Sequence, residues 1–271
     1  MNPIHRALTE LRLIDALSDR ATPYARLDPR ARVLVTLGFV VTVVSFDRYA
    51  VAALLPMALF LVVTAAMAQV PWRMVGRGLW LSWPFAVLLG LFNPWLDPLP
   101  LLTVAGCSVS GGWVSYASLL IRFGLTVSAA LILVAGTGFD AVCAGLWRLG
   151  LPTVLTTQLL LLHRYAVVLV EQAAQMNLAR ELRCSHGRTA MPLAVYGSLL
   201  GHLLLRTMQK SERIYQAMVS RGFDGTLRGV TAWHWRGVDS WFVLLSLCGF
   251  GLARSLNVAQ VLGQIALKAG L

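Results

Sequence analysis

Apolar runs broken by short clusters of arginine, proline and glycine fill the first half of the chain, and this alternation predicts helices that cross a membrane. Asp28-Pro29-Arg30-Ala31-Arg32 opens the first, with Asp28 as N-cap and Pro29 at the first helical position. Val33 to Phe46 then carries no charge over 14 residues, so short a run that Arg30 and Arg32 must snorkel for it to span. Asp47-Arg48 turns the chain, and Tyr49 to Trp72 is a second uncharged run of 24 residues. Pro71, Trp72, Arg73 and Arg77 form a positive, aromatic boundary ahead of a third span over 78–96, bracketed by Trp80, Trp83 and Trp95. The loop from Asn93 to Gly112 contains no Lys or Arg, which assigns it to the outside. A fourth span covers 113–136 and includes Arg122, a charge costly at that depth that must face other helices or the interface. Residues 238–257 supply a fifth, with Trp233, Trp235 and Trp241 at its start.

Between the fourth and fifth spans the pattern changes to two long helices with apolar beginnings and polar ends. Pro152 opens one that runs through His163-Arg164 and Glu171 to Arg183, and about 30 helical residues would extend about 45 Å. Cys184-Ser185-His186-Gly187 breaks it. Pro192 opens the next, which ends at Arg221 with Gly222 as its C-terminal stop. One pattern recurs on the two helices 41 residues apart: Glu171-x3-Gln175-x3-Ala179-Arg180, then Glu212-x3-Gln216-x3-Ser220-Arg221. Spacings of four and eight fall along one helix face, so each copy is a stripe of acid, amide and small residue followed by an arginine. A shorter amphipathic helix is expected over residues 4–17.

The expected architecture is therefore all-α. A cytoplasmic N-terminal segment (1–30) precedes a transmembrane bundle of four helices (31–137). A cytoplasmic domain with two long helices (138–236) follows, then a final transmembrane helix with its tail (237–271).

Composition agrees with this plan. The 271-residue chain is 57% hydrophobic and 13% charged, far from the quarter charged residues of soluble domains. Its net charge of +11 comes from 23 Lys+Arg against 12 Asp+Glu, and with the N-terminus inside, 19 of the 23 fall on the inner side. This orientation puts the C-terminus outside. An excess of arginine facing anionic headgroups needs no nucleic-acid partner to explain it. A second topology threads 149–163 and 189–205 through the membrane, giving seven spans, but His163, Arg164 and His202 oppose full crossing. The segment Met1 to Arg32 holds six arginines and no unbroken apolar core, unlike a cleaved signal peptide.

Catalytic chemistry has no visible seat. The chain contains no G-x4-G-K-[ST], no H-E-x-x-H and no G-x-S-x-G, its five histidines are scattered, and its four cysteines form no C-x2-C pair. Cys184-x-His186 supplies two ligands in a turn, too few for a zinc site. The expectation is a non-catalytic protein without a metal centre or cofactor.

Leu27-Asp28-Pro29-Arg30-Ala31-Arg32, Phe92-Asn93-Pro94, Leu149-Gly150-Leu151-Pro152, His163-Arg164-Tyr165 and the paired motifs Ala179-Arg180-Glu181 and Ser220-Arg221-Gly222 carry a specific resemblance. Together they resemble the transmembrane T component of energy-coupling-factor transporters of the cobalt type, the CbiQ family. That family shows Ala-Arg-Gly or a close variant at both motifs; here Glu181 stands for Gly at the first and Ser220 for Ala at the second, while both arginines are kept. The resemblance implies a multi-pass protein of the bacterial inner membrane that joins a membrane subunit capturing a divalent metal ion to two cytoplasmic ATPase subunits. Arg180 and Arg221 would each dock on one ATPase, with Glu171, Gln175, Glu212 and Gln216 on the supporting face. ATP would be bound by those partners and not by this chain. Cobalt is the expected ion, with nickel as the alternative. A stand-alone secondary transporter, suggested by Arg122 and the broken apolar segments, is the reading from a different class.

Overall fold

In a computed structural model, residues 22–47, 51–92, 100–104, 107–183, 193–225 and 233–255 are described. The amphipathic helix expected over 4–17, the Asn93-Pro94 turn and the break at 184–187 lie outside them. Eight helices occur among the described residues: α1 (Pro29–Ser45), α2 (Leu55–Ala68), α3 (Trp72–Gly90), α4 (Gly111–Thr137), α5 (Phe139–Arg148), α6 (Thr153–Arg183), α7 (Leu193–Val219) and α8 (Gly237–Ser255). Besides these α-helices the described residues hold two single-turn 3-10 helices, Tyr24–Arg26 and Ala52–Leu54, and one antiparallel hairpin, β1 (Pro100–Val104) with β2 (Cys107–Ser110), in the segment expected to be an external loop. The architecture is all-α, as the sequence predicts.

The chain divides into two compact units, one of residues 17–145 with 233–271 and one of 1–16 with 146–232. In the first, α4 packs against α1, α2 and α3, and α8 packs against α1. Lipid tails are as apolar as leucine, so helix association in a bilayer depends on close packing rather than on the hydrophobic effect. At its centre Phe39, Phe60 and Phe250 form a trio with ring centroids 4.8 to 5.8 Å apart. Close approach is provided by small residues: a Cβ at Gly136 would lie 2.8 Å from Ala68 Cβ and 3.2 Å from the Tyr24 ring. Threonines within the helices satisfy themselves by donating to carbonyls one turn back, as from Thr42 Oγ1 to Gly38 O at 2.7 Å and Thr126 Oγ1 to Arg122 O at 3.0 Å. The outward faces carry large apolar side chains such as Leu37, Trp80 and Leu81, the last two nearly four-fifths exposed at 79% and 78%.

Several boundaries differ from the sequence reading. Asp28 does cap α1, its Oδ1 accepting from Arg30 N at 2.9 Å, with Pro29 in the first turn. The uncharged run of 49–72, however, yields only the 14 residues of α2, because Gln69 turns left-handed at φ 51 and Pro71 follows. Helix α3 then starts at Trp72, six residues before the expected Gly78, so Arg73 and Arg77 lie inside it. It ends at Gly90 after passing through Pro84. Helix α5 was not expected at all. Among the described residues three helices, α4, α6 and α8, are long and apolar enough to cross a membrane, whereas α2 is an apolar helix below that length. The inclusion of α6 bears on the expectation that this helix is cytoplasmic: its first half is the segment that the seven-span alternative threads through the membrane. Arg122 on α4 donates from Nη2 to the backbone carbonyl of Asp47, just past the end of α1, a structural use for a guanidinium at that depth. Arg254 stacks over Phe46 at the same end, 5.3 Å from its centroid.

Candidate functional site

The second unit is built on α6 and α7, of 31 and 27 residues, or about 46 and 40 Å of helix. Each starts from a tightly stopped preceding segment or ends in one. Before α6, Gly150 adopts φ +107 and the Leu151 and Gly150 N–H groups donate to Leu146 O and Trp147 O, both at 3.1 Å. This double closure ends α5, and Pro152 then permits the new helix. After α7 the same device recurs: Phe223 N–H donates to Met218 O at 3.0 Å, Gly222 N–H donates to Val219 O at 2.9 Å, and Gly222 has φ +79. Gly222 is the left-handed residue that this closure requires, which leaves Arg221 as the C-cap.

The two repeated stripes end differently. On α6, Gln175 and Ala179 are exposed, Glu171 is half-buried, and Arg180 sits in the last turn, three residues before the helix ends at Arg183. Its Nη2 lies 3.9 Å from Glu181 Oε1, and that same oxygen accepts from Asn177 Nδ2 at 2.9 Å. The Arg180 side chain retains only 26% exposure, and its Nε has no hydrogen-bond partner among the described residues. On α7 Glu212 and Gln216 are exposed, as are Ser220, Arg221 and Gly222 in the turn that closes it. Ser220 Oγ donates to Gln216 O at 2.9 Å, so the serine in place of alanine spends its one donor on its own helix. Both arginines stand at helix C-termini, where the backbone dipole favours a cation.

Residues outside the repeat complete these ends. Leu178 and Val219, each 51% exposed, stand two positions before Arg180 and Arg221, again 41 residues apart. Exposed aliphatic side chains are what protein interfaces cover. Extending the 41-residue repeat by one position would have found both. A second feature had no sequence signal. Thr157, in the first turns of α6, donates from Oγ1 to the carbonyl of Gly225 at 3.2 Å, joining the beginning of α6 to the exit of α7. Arg180 is 23 residues further along α6, about 35 Å. Arg221 is four residues from Gly225 and therefore within about 14 Å of it along the chain. The Arg180 and Arg221 backbone positions thus lie towards opposite ends of α6. Among the described residues, no three His, Cys, Asp or Glu side chains gather in a way that could hold a metal ion.

Comparison with known proteins gives concordant matches. The family CbiQ, cobalt transport protein, matches residues 20–233. The chain is 30% identical over 179 residues to the nickel permease LarQ of Lactiplantibacillus plantarum, covering 60% of this chain and 65% of that protein. It is 26% identical over 199 residues to the cobalt transport protein CbiQ of Rhodobacter capsulatus, covering 72% and 78%. Two uncharacterized proteins of Methanocaldococcus jannaschii match at 32% and 26% identity, and the matches span 30% and 56% of their lengths. With apolar helices of membrane-crossing length and a family match over most of its residues, the chain is a membrane protein that belongs to the CbiQ family of cobalt transport proteins.

Proposed function

We propose that the chain is the transmembrane T component of an energy-coupling-factor transporter for cobalt, joining a separate metal-capturing membrane subunit to two ATPase subunits. The observation that carries this reading is the pair of similar arginine-ended stripes at opposite ends of α6, held apart by the Thr157–Gly225 bond. Two like anchors suit a symmetric pair of ATPases offering two like sockets. Arg180 and Arg221 are the anchors, since a guanidinium keeps its charge and can engage carboxylates or helix-end carbonyls with two parallel bonds. Ala179 and Ser220 keep the approach to each arginine narrow, Gly222 fixes the direction of the second, and Glu181 shares the first. Glu171, Gln175, Glu212 and Gln216 form the polar margin of the docking faces. Closure of the ATPase pair on ATP would displace α6 and α7 as rigid levers, and that displacement would drive the metal-capturing subunit. The chain itself would bind neither ATP nor a metal cofactor, and the metal ion is cargo held by its partner.

The distribution of arginines supports a cytoplasmic side for the N-terminus and the docking faces, in a bacterial inner membrane. Cobalt is favoured by the family description and by the Rhodobacter relative, while the nickel permease keeps nickel as the alternative. Selectivity would reside in the partner, so competitive uptake of radioactive cobalt and nickel by the whole complex decides between them.

Arg180→Glu together with Arg221→Glu replaces each docking cation by an anion. A broken charge pair at an interface costs about 2–5 kcal/mol, so the double variant should lose co-purifying ATPase and metal uptake. A double variant that retains both refutes the proposal. Gradient-driven uptake by the purified chain alone in liposomes would replace it with a secondary carrier.

A further inference from the structure

The segment from Leu27 to Arg32 has no part in the docking faces, yet it organises the other unit. Arg32 is only 1% exposed, a rare burial for a guanidinium. Its Cζ lies 5.4 Å from the Tyr24 ring centroid and 5.6 Å from that of Trp233, and its Nη1 donates to Gly136 O in the last turn of α4, at 3.5 Å. Beside it, the Asp239 carboxylate joins two helix starts. Oδ1 accepts from Asp28 N at 2.9 Å ahead of α1, and Oδ2 accepts from Arg236 N at 2.8 Å ahead of α8. Gly145 on α5 lies against the same place, since a Cβ there would come within 3.1 Å of the Pro29 carbonyl.

These contacts gather the two places where the chain leaves this unit and returns to it. It leaves through Gly136 to Gly145 and re-enters at Trp233. The arrangement is poor as a stabilising device. Arg32 Nε and Asp28 Oδ2 are buried without hydrogen-bond partners among the described residues. An ionic group taken out of water and incompletely bonded costs free energy that an apolar residue would not. What the arginine adds is direction. A planar guanidinium stacked against two rings, with an edge on a helix-end carbonyl, holds Tyr24, Trp233 and Gly136 in one mutual arrangement.

We propose that Arg32 is the positioning residue that ties both connections of the α6–α7 unit to the helical bundle, so that displacement of α6 and α7 is passed on instead of being absorbed in the connections. This rests on the coupling role argued above.

The test uses the complete complex, co-expressed with its ATPases and metal-binding membrane subunit and reconstituted in proteoliposomes. Arg32→Lys keeps the charge without the plane, and Trp233→Leu removes one ring without touching a charge. For each, retained ATPase, ATP hydrolysis and uptake of radioactive cobalt or nickel are measured. The expected result is a complex that assembles and hydrolyses ATP within about twofold of wild type, with metal moved per ATP lowered about tenfold. Trp233→Phe should restore the ratio. Uptake and hydrolysis that fall together, a ratio that does not change, or failure of Trp233→Phe to restore it overturns the proposal. So does loss of assembly in both variants while the wild type assembles, because the role is then architectural only. A wild-type chain that purifies without ATPase overturns the coupling role itself, and this inference with it.

Discussion

Replacing Gly222 by alanine tests how the second arginine is aimed. The residue has φ +79, and a Cβ built there meets nothing within 4 Å. No neighbour would be displaced, so the whole penalty lies in the backbone: about 1–2 kcal/mol for an L-residue in the left-handed region. That penalty falls on the closure in which Phe223 N–H bonds Met218 O at 3.0 Å and Gly222 N–H bonds Val219 O at 2.9 Å. Opening of the last turn should become about 5- to 30-fold more frequent. Arg221, as the C-cap, loses its fixed direction when the turn opens. Hydrogen exchange at the amides of Gly222 and Phe223 should accelerate by that factor, and ATPase retention should weaken in parallel. Gly222→Asn should do less harm, since asparagine visits this region more readily. Gly150→Ala provides the comparison: at φ +107 it strains the equivalent closure of α5, a turn that carries neither Arg180 nor Arg221, and should leave the exchange of the Gly222 and Phe223 amides unchanged. Unchanged exchange in Gly222→Ala, or an asparagine variant as impaired as the alanine one, would refute the reasoning.

Two further outcomes follow from packing and burial. Gly136→Ala should destabilise the protein in detergent more than Gly78→Ala does, by about 1–3 kcal/mol of overpacking against less than about 1, read as the larger fall in melting temperature. At Gly136 the new methyl group meets Ala68 Cβ at 2.8 Å, fixed to its helix, whereas at Gly78 it meets the rotatable Leu131 Cδ1 at 2.5 Å; equal losses would contradict this. Cys143 on α5 is buried, and burial, aided by Asp140, pushes its thiol from 9.0 up to about 11. Folding therefore favours the neutral thiol, a contribution present below pH 9.0 and lost as pH rises towards 11. In a chain with Cys107, Cys184 and Cys248 changed to serine, iodoacetamide at pH 8 should spare folded Cys143 and alkylate the denatured form, and equal rates would disprove it.

The sequence by itself determined whatever depends on neighbours a few residues apart. The apolar runs imply helices, Asp28 caps α1 through a bond to Arg30 two residues away, and Gly222 stops α7 because its closure spans only Met218 to Phe223. The two arginines could be picked out because their stripes repeat at helical spacing. Apolarity alone could not find the ends of α2 and α3, since Gln69 and Pro71 divide a run that contains no charge, and Arg73 and Arg77 do not break a helix. Ten-residue α5 and the hairpin at 100–110 were missed for different reasons, one too short to show a period and the other dependent on strand pairing. Only the tertiary structure decided which distant residues meet. Thr157 finds Gly225 across 68 positions and so separates Arg180 from Arg221, and Asp28 finds Asp239 across 211 and so closes two helices with one carboxylate. Helical periodicity is a property of adjacent turns, whereas these contacts depend on how whole helices pack, and no local pattern encodes that.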